Sequence, residues 1–124
     1  PLMLRAGKGR IVNNSSTAGL KGIASMSDYS AAKWGVIGLT KSAALDYAGQ
    51  GLIFNAIAPG IIATEKFEVF KANMPEVFEK LREETPAGRF GDMQEIAELV
   101  DWLLRSAPGY INGQVLPIDG GRTA

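Results

Sequence analysis

A hydroxyl, a phenol and an ammonium stand close together in this chain: Ser16, then Tyr29 and Lys33. On a helix, a spacing of four residues puts Tyr29 and Lys33 on one face. Free tyrosine ionises near ~10, too high for ready proton exchange around neutral pH. A lysine cation within a few ångströms favours the phenolate. Tyr29 is then suited to act as general acid or base, with Lys33 as its electrostatic partner. Ser16 is suited to donate a hydrogen bond to a carbonyl and polarise it. What this trio lacks is a carrier of hydride. No side chain supplies one, so the chemistry asks for a nicotinamide cofactor.

Two elements must position these groups. Gly9-Arg10-Ile11-Val12-Asn13-Asn14 reads as a buried strand ending in polar residues, with Ser16 just beyond its end. In open α/β sheets ligands bind beyond the carboxyl ends of the strands, which is where Ser16 falls. Tyr29 and Lys33 open a helical pattern that starts at a Ser27 or Asp28 cap and runs to about Ala48. Gly49-Gln50-Gly51 ends it.

Four segments in register carry a resemblance. Ile11-Val12-Asn13-Asn14-Ser15-Ser16, Tyr29-x-x-x-Lys33, Asn55-Ala56-Ile57-Ala58-Pro59-Gly60, and Tyr110-Ile111-Asn112-Gly113-Gln114 with Asp119-Gly120-Gly121 resemble the short-chain dehydrogenase/reductase family. The resemblance covers nearly the whole chain, but only about the second half of a typical member. It implies the C-terminal half of one Rossmann-like, doubly wound parallel sheet, with about three strands and four helices. It implies catalytic roles for Ser16, Tyr29 and Lys33, NAD or NADP as cofactor, and a small carbonyl or alcohol substrate. Pro59-Gly60-Ile61-Ile62-Ala63-Thr64 would cradle the nicotinamide: Pro59 and Gly60 at the turn, the Ile62 backbone on the carboxamide, Thr64 assisting. Tyr29 and Lys33 would also meet the cofactor.

Composition bounds these readings. Of 124 residues, 46% are hydrophobic and 21% charged, as in an ordinary globular protein. Thirteen basic and thirteen acidic residues cancel, so net charge favours neither nucleic acid nor an anionic membrane. The chain has no Cys and no His. That excludes disulfides, thiol catalysis and cysteine metal sites, and leaves proton transfer to tyrosine, lysine and carboxylates. No apolar run reaches membrane-spanning length and no signal-peptide pattern opens the chain, so the cytoplasm is the expected location.

The remaining segments complete the expectation. Pro1 to Ala6 reads as the tail of a helix begun elsewhere. With the family's glycine-rich phosphate-binding turn not found, the chain reads as a fragment or a visible part of a longer protein. In the loop between Ser16 and Tyr29, the resemblance sets Leu20, Ile23 and Met26 beside the substrate; packing under the loop is the alternative. Gly35 and Gly38 imply close packing of the Tyr29 helix, either on the sheet or at a subunit interface. The interface reading gives a homo-oligomer, a dimer or tetramer, and makes Trp34 core or interface. Leu52 to Ala58 is a strand buried on both faces.

Residues 65–91 form two short amphipathic helices, Glu65–Ala72 and Pro75–Glu84, with Pro75 in a first turn. They are either a mobile substrate lid or a packed cover, and their mixed charges a solvated face. Asp92 to Glu95 is a capping box opening a core helix through Arg105. Val115–Ile118 is the last strand, near a sheet edge because Pro117 cannot donate to a ladder. Gly120-Gly121 reads as a flexible close. The first strand, without a neighbour on one side, would expose an edge. The chemistry implied is interconversion of an alcohol and a ketone, of the 3-oxoacyl-thioester reductase or sugar/polyol dehydrogenase type. The alternative is a catalytically silent fragment that serves as an oligomerisation or binding module.

Overall fold

Apolar runs bounded by glycine become three parallel strands in the computed structural model, which describes residues 2–124. Pro1 and the side chain of Lys66 lie outside the described residues, so the expected helix tail and solvated face are described without them. The elements are α1 (Leu2–Ala6), β1 (Gly9–Asn14), α2 (Ser27–Tyr47), β2 (Leu52–Pro59), α3 (Glu65–Asn73), α4 (Pro75–Glu83), α5 (Met93–Arg105) and β3 (Val115–Ile118). Short 3₁₀ turns at Thr17–Gly19 and Ala48–Gln50 flank α2. The sheet order is β1-β2-β3. Gly9 to Asn14 pair with Leu52 to Ile57, and Ala56 to Pro59 with Val115 to Ile118.

Strand alternation decides which helix covers which face. Asn13 reaches α2, its Nδ2 donating to Thr40 Oγ1 at 2.9 Å. Arg10, of opposite parity, reaches α5, donating to the carbonyls of Leu103 (3.0 Å) and Ala107 (2.7 Å). The two helices therefore cover opposite faces, and the sheet is doubly wound in the Rossmann-like manner. Because the strands advance in one direction, the two crossovers have opposite hands, and at most one has the usual right-handed sense.

The α5 face holds the larger apolar cluster. Ile57, Leu103 and Ala107 are buried there, with Val12, Ile96, Leu99, Val100 and Leu116 packed around them. Full burial of Ile57 and Leu103 contributes about 1.5–3 kcal/mol each. On the α2 face β2 presents Ala56 and Ala58, both fully buried. These small side chains let the helix come close, and Thr40, also fully buried, bonds both Asn13 and the Val36 carbonyl.

The capping box is formed as read: Asp92 Oδ1 accepts from the Gln94 N–H, and Glu95 accepts from the Asp92 N–H. Pro75 sits in the first turn of α4, and β3 with Pro117 is an edge strand. The start of α2 differs from the expectation. Its N-cap is Met26, which makes no side-chain cap bond, and Ser27 and Asp28 lie inside the helix. Asp28 instead sets its negative charge in the first turn, where the helix dipole favours it.

Gly35 and Gly38 also differ, because a Cβ at either would meet nothing within 4 Å. Neither packs on the sheet. Trp34, Leu39 and Leu45 are exposed around them, so Trp34 is not core. The accessible surface is 7849 Å², against about 6400 Å² for a compact monomer of this mass. The excess matches an open α2 face and an unpaired outer edge on β1. Among the described residues no helix is long and apolar enough to cross a membrane.

Candidate active site

The site is built where β1 ends. Lys33, in the second turn of α2, donates from Nζ to the carbonyl of Asn14 at 3.1 Å. Its own carbonyl accepts from Ser15 Oγ at 2.9 Å. Ser15 is buried and its N–H donates to the Ile57 carbonyl at 2.9 Å. The helix is thus fastened to the strand end through both the side chain and the backbone of one residue. Gly19 completes the seat: a Cβ there would lie 2.5 Å from Ser15 Oγ and 2.7 Å from the Lys33 oxygen. Only glycine lets the turn lie against the helix this closely.

Tyr29 follows one turn earlier on the same helix face. Its ring centroid is 5.6 Å from Lys33 Nζ, within cation–π range. The residue is 40% exposed, so Tyr29 is open to solvent. Ser16 caps the 3₁₀ turn, its Oγ accepting from the Ala18 N–H at 3.2 Å. Acceptance leaves the hydroxyl proton free to be donated outward. Lys33 likewise spends one of three donors on Asn14 and keeps two. Ile23 and Met26, in the intervening loop, are exposed rather than packed beneath it.

The second strand end lies alongside. β2 runs through Pro59, so the turn expected at Pro59-Gly60 begins only after the last ladder pair. Gly60 is required by packing of another kind, since a Cβ would stand 2.8 Å from both Cα and Cβ of Asp119. Gly91 bonds the residues on either side of Ile62: it donates to the Ile61 carbonyl at 3.0 Å and accepts from the Ala63 N–H at 2.8 Å. That parallel bridge leaves the N–H and C=O of Ile62 directed away from Gly91. They have no partner among the described residues. Thr64 holds the N-cap position of α3 in extended backbone, with a hydroxyl that makes no capping bond.

Two of the segments singled out for their resemblance prove to be joined. Asn55, buried in β2, donates from Nδ2 to the Ile111 carbonyl (2.8 Å) and accepts at Oδ1 from the Gln114 N–H (2.9 Å). Asn112 Oδ1 accepts from the Phe54 N–H at 2.8 Å. These asparagines hold the 110–114 loop on the sheet. The parts that sequence reasoning passed over are Ser15, Gly19 and the Asn14 carbonyl. A signal existed for Ser15, because a polar residue turned toward the core at a strand end must find a partner.

A carboxylate with a lowered pKa stands at the opening of α5. Arg89 clasps Glu95 with 2.8 and 2.7 Å hydrogen bonds. That bond, with the backbone N–H of Asp92, lowers the Glu95 pKa to about 2 and raises that of Arg89. The pair anchors the loop between α4 and α5.

A family model described as enoyl-(acyl carrier protein) reductase matches residues 1–123. Levodione reductase of Leifsonia aquatica is 43% identical over 99% of this chain and 48% of its own length. The 3-oxoacyl-(acyl-carrier-protein) reductase of Thermotoga maritima is 41% identical over 98% and 48%. The crystal structure of a gluconate 5-dehydrogenase from Burkholderia cenocepacia, in complex with NADP and tartrate, superposes with a TM-score of 0.90 at 32% identity, covering 98% of this chain and 48% of that one. The chain spans about half the length of the curated relatives it matches. With this sheet and these matches along almost its whole length, the chain belongs to the short-chain dehydrogenase/reductase family.

Proposed function

We propose that the chain is the C-terminal half of an NAD(P)-dependent oxidoreductase domain that interconverts an alcohol and a ketone. The observation that carries this reading is the position of Lys33, bonded to the end of β1 and 5.6 Å from the Tyr29 ring. Tyr29 gives its phenolic proton to the carbonyl oxygen in reduction and takes it back in oxidation. Lys33 stands by as the cation that favours phenolate, and its two remaining N–H donors are available to a ribose. Ser16 donates its hydroxyl proton to the substrate oxygen and orients it. A nicotinamide cofactor, when bound, supplies or accepts the hydride.

The residues present fit such a group. The free N–H and C=O of Ile62 match the acceptor and donor of a carboxamide, and the unengaged Thr64 hydroxyl lies two residues on. The NADP in the Burkholderia gluconate 5-dehydrogenase structure supports the same cofactor class here. The substrates named for the relatives support a small carbonyl compound, a 3-oxoacyl thioester or a sugar acid. The α3–α4 segment is the substrate cover, and the exposed face of α2 with Trp34, Leu39 and Leu45 is the surface of a homo-oligomer.

The test is a titration of the purified protein with NADPH and with NADH, read by cofactor fluorescence, followed by turnover of cyclohexanone and an acetoacetyl thioester. Saturable binding with turnover supports the reading; no saturable binding of either cofactor contradicts it. A second reading, a catalytically silent oligomerisation or binding module, is favoured by the excess exposed surface. It requires that neither cofactor bind.

A further inference from the structure

The tail that follows β3 touches all three segments that border the candidate site. Asp119 packs on Gly60, at the head of the segment carrying Ile62. Its carboxylate keeps the tail folded, accepting from the Gly121 N–H at 2.9 Å and from Thr123 Oγ1 at 2.6 Å. Gly120 and Gly121, expected as a flexible close, are seated in left-handed backbone (φ 64° and 91°). A Cβ on Gly120 would lie 2.9 Å from Thr85 Cγ2, and one on Gly121 3.2 Å from Pro86 Cβ. The Ala87 N–H donates to the Gly120 carbonyl at 3.0 Å.

Arg122 then closes on the end of α4. Its Nη1 donates to the Leu81 carbonyl (2.9 Å) and to Thr85 Oγ1 (3.1 Å), and its Nη2 meets Glu84 Oε2 at 3.3 Å. The side chain is only 13% exposed. A guanidinium at a helix C-terminus satisfies free carbonyls and complements the dipole. On its other side, the Arg122 carbonyl accepts from Lys21 Nζ at 2.8 Å, and Lys21 belongs to the loop between Ser16 and Tyr29. One residue therefore joins the two segments that flank the Tyr29 site from different parts of the chain.

We propose that Arg122 is a positioning residue, which fixes the α3–α4 cover at the end of α4 and ties it to the 20–26 loop, so that both walls of the substrate cleft move as one. This rests on the reading of Ser16, Tyr29 and Lys33 as an oxidoreductase site. Arg122 itself touches no reacting group. Its loss would loosen substrate capture while leaving the proton-transfer groups on α2, which are fastened independently through Asn14 and Ser15.

Hydrogen exchange on the purified protein without ligand tests the clamp. In Arg122→Gln, amides of residues 79–85 exchange faster by about tenfold because they lose the guanidinium, and those of 20–26 follow because the freed tail no longer holds in place the carbonyl that Lys21 grips. Arg122→Lys, which keeps the charge without the fork, restores part of that protection. Unchanged exchange in 20–26 in Arg122→Gln overturns the proposal. If Arg122→Gln unfolds the chain, Lys21→Met at an exposed side chain carries the test: faster exchange in 20–26 is expected, and none overturns it.

Kinetics supply the second readout, with cyclohexanone and NADPH as the probe pair. Arg122→Gln raises the KM for the ketone about fivefold or more, with kcat and NADPH affinity nearly unchanged, and Arg122→Lys recovers part of it. A fall in kcat with KM unchanged overturns the positioning role. Exchange needs no turnover. A wild-type protein that fails on every carbonyl probe therefore contradicts the oxidoreductase reading, and exchange alone then decides the clamp.

Discussion

The Ser15 hydroxyl donates to the carbonyl of Lys33 at 2.9 Å, while the ammonium of the same lysine donates to Asn14 at 3.1 Å. A strand end and a helix turn thus grip each other twice through one residue. The arrangement fixes where Lys33 can put its charge, and so where Tyr29, one turn away, has a cation beside its ring. This joint, more than the Lys33 side chain alone, sets where the ammonium stands beside the Tyr29 ring.

The joint has one point without slack. Gly19→Ala puts a methyl group 2.5 Å from Ser15 Oγ and 2.7 Å from the Lys33 oxygen. A backbone carbonyl cannot rotate away, so α2 must shift, at a cost of about 1–3 kcal/mol. Chemical denaturation should show that loss, and any turnover should fall with it. Gly22→Ala, where a Cβ meets nothing within 4 Å, is the control and should leave both unchanged.

Arg10 ties β1 to the end of α5 through the carbonyls of Leu103 and Ala107. Arg10→Met keeps most of the apolar stem and removes both charged hydrogen bonds, for a loss of about 1.5–3 kcal/mol. Urea unfolding measures it. A midpoint shift with an unchanged m-value is expected, since the native contacts elsewhere are untouched.

Acid should loosen the opening of α5 at a defined pH. Glu95 is held down to about 2 by Arg89 and the Asp92 N–H, whereas an unfolded glutamate titrates near ~4.3. Its folded value is depressed, so its contribution is full above the unfolded value and is lost as pH falls toward 2. Glu95→Gln keeps an acceptor for the capping box and removes the charge. The stability difference between wild type and Glu95→Gln should be largest near neutral pH, shrink between pH ~4.5 and ~2, and diminish with added salt because the pair is exposed.

Ser30, next to Tyr29, is buried with a hydroxyl that finds no partner among the described residues. Replacing an unsatisfied hydroxyl by a methyl group removes a desolvation cost, so Ser30→Ala should be neutral or stabilising by about 1 kcal/mol. A shift of that sign in the thermal midpoint is the expected result.

Much of this fold was legible in the residues. Apolar runs bounded by glycine marked β1 and β2, Pro117 marked the edge strand, and Asp92 with Glu95 marked the start of α5. Each signal is local, and nothing distant opposes it. The start of α2 was misread because Ser27 and Asp28 are good caps by type, yet the chain enters the helix one residue earlier, at Met26. Gly35 and Gly38 were read as close-packing positions, and Gly60 as part of a turn. Only tertiary structure reveals that the first two face open space and that the third makes room for Asp119. Ser16, Tyr29 and Lys33 could be picked out by type and spacing. Ser15 carried only the general signal of a polar residue at a strand end, and Gly19 and Arg122 carried none, because their partners lie many residues away in sequence.

The most direct test of the account is the turnover of Tyr29→Phe in a protein that binds reduced cofactor. Tyr29 is exposed and away from the buried core, so stability and cofactor affinity should stay near wild type. Loss of the general acid should cost at least about 100-fold in kcat. A Tyr29→Phe protein that turns over at the wild-type rate would contradict the role of Tyr29 and, with it, the reading of this site.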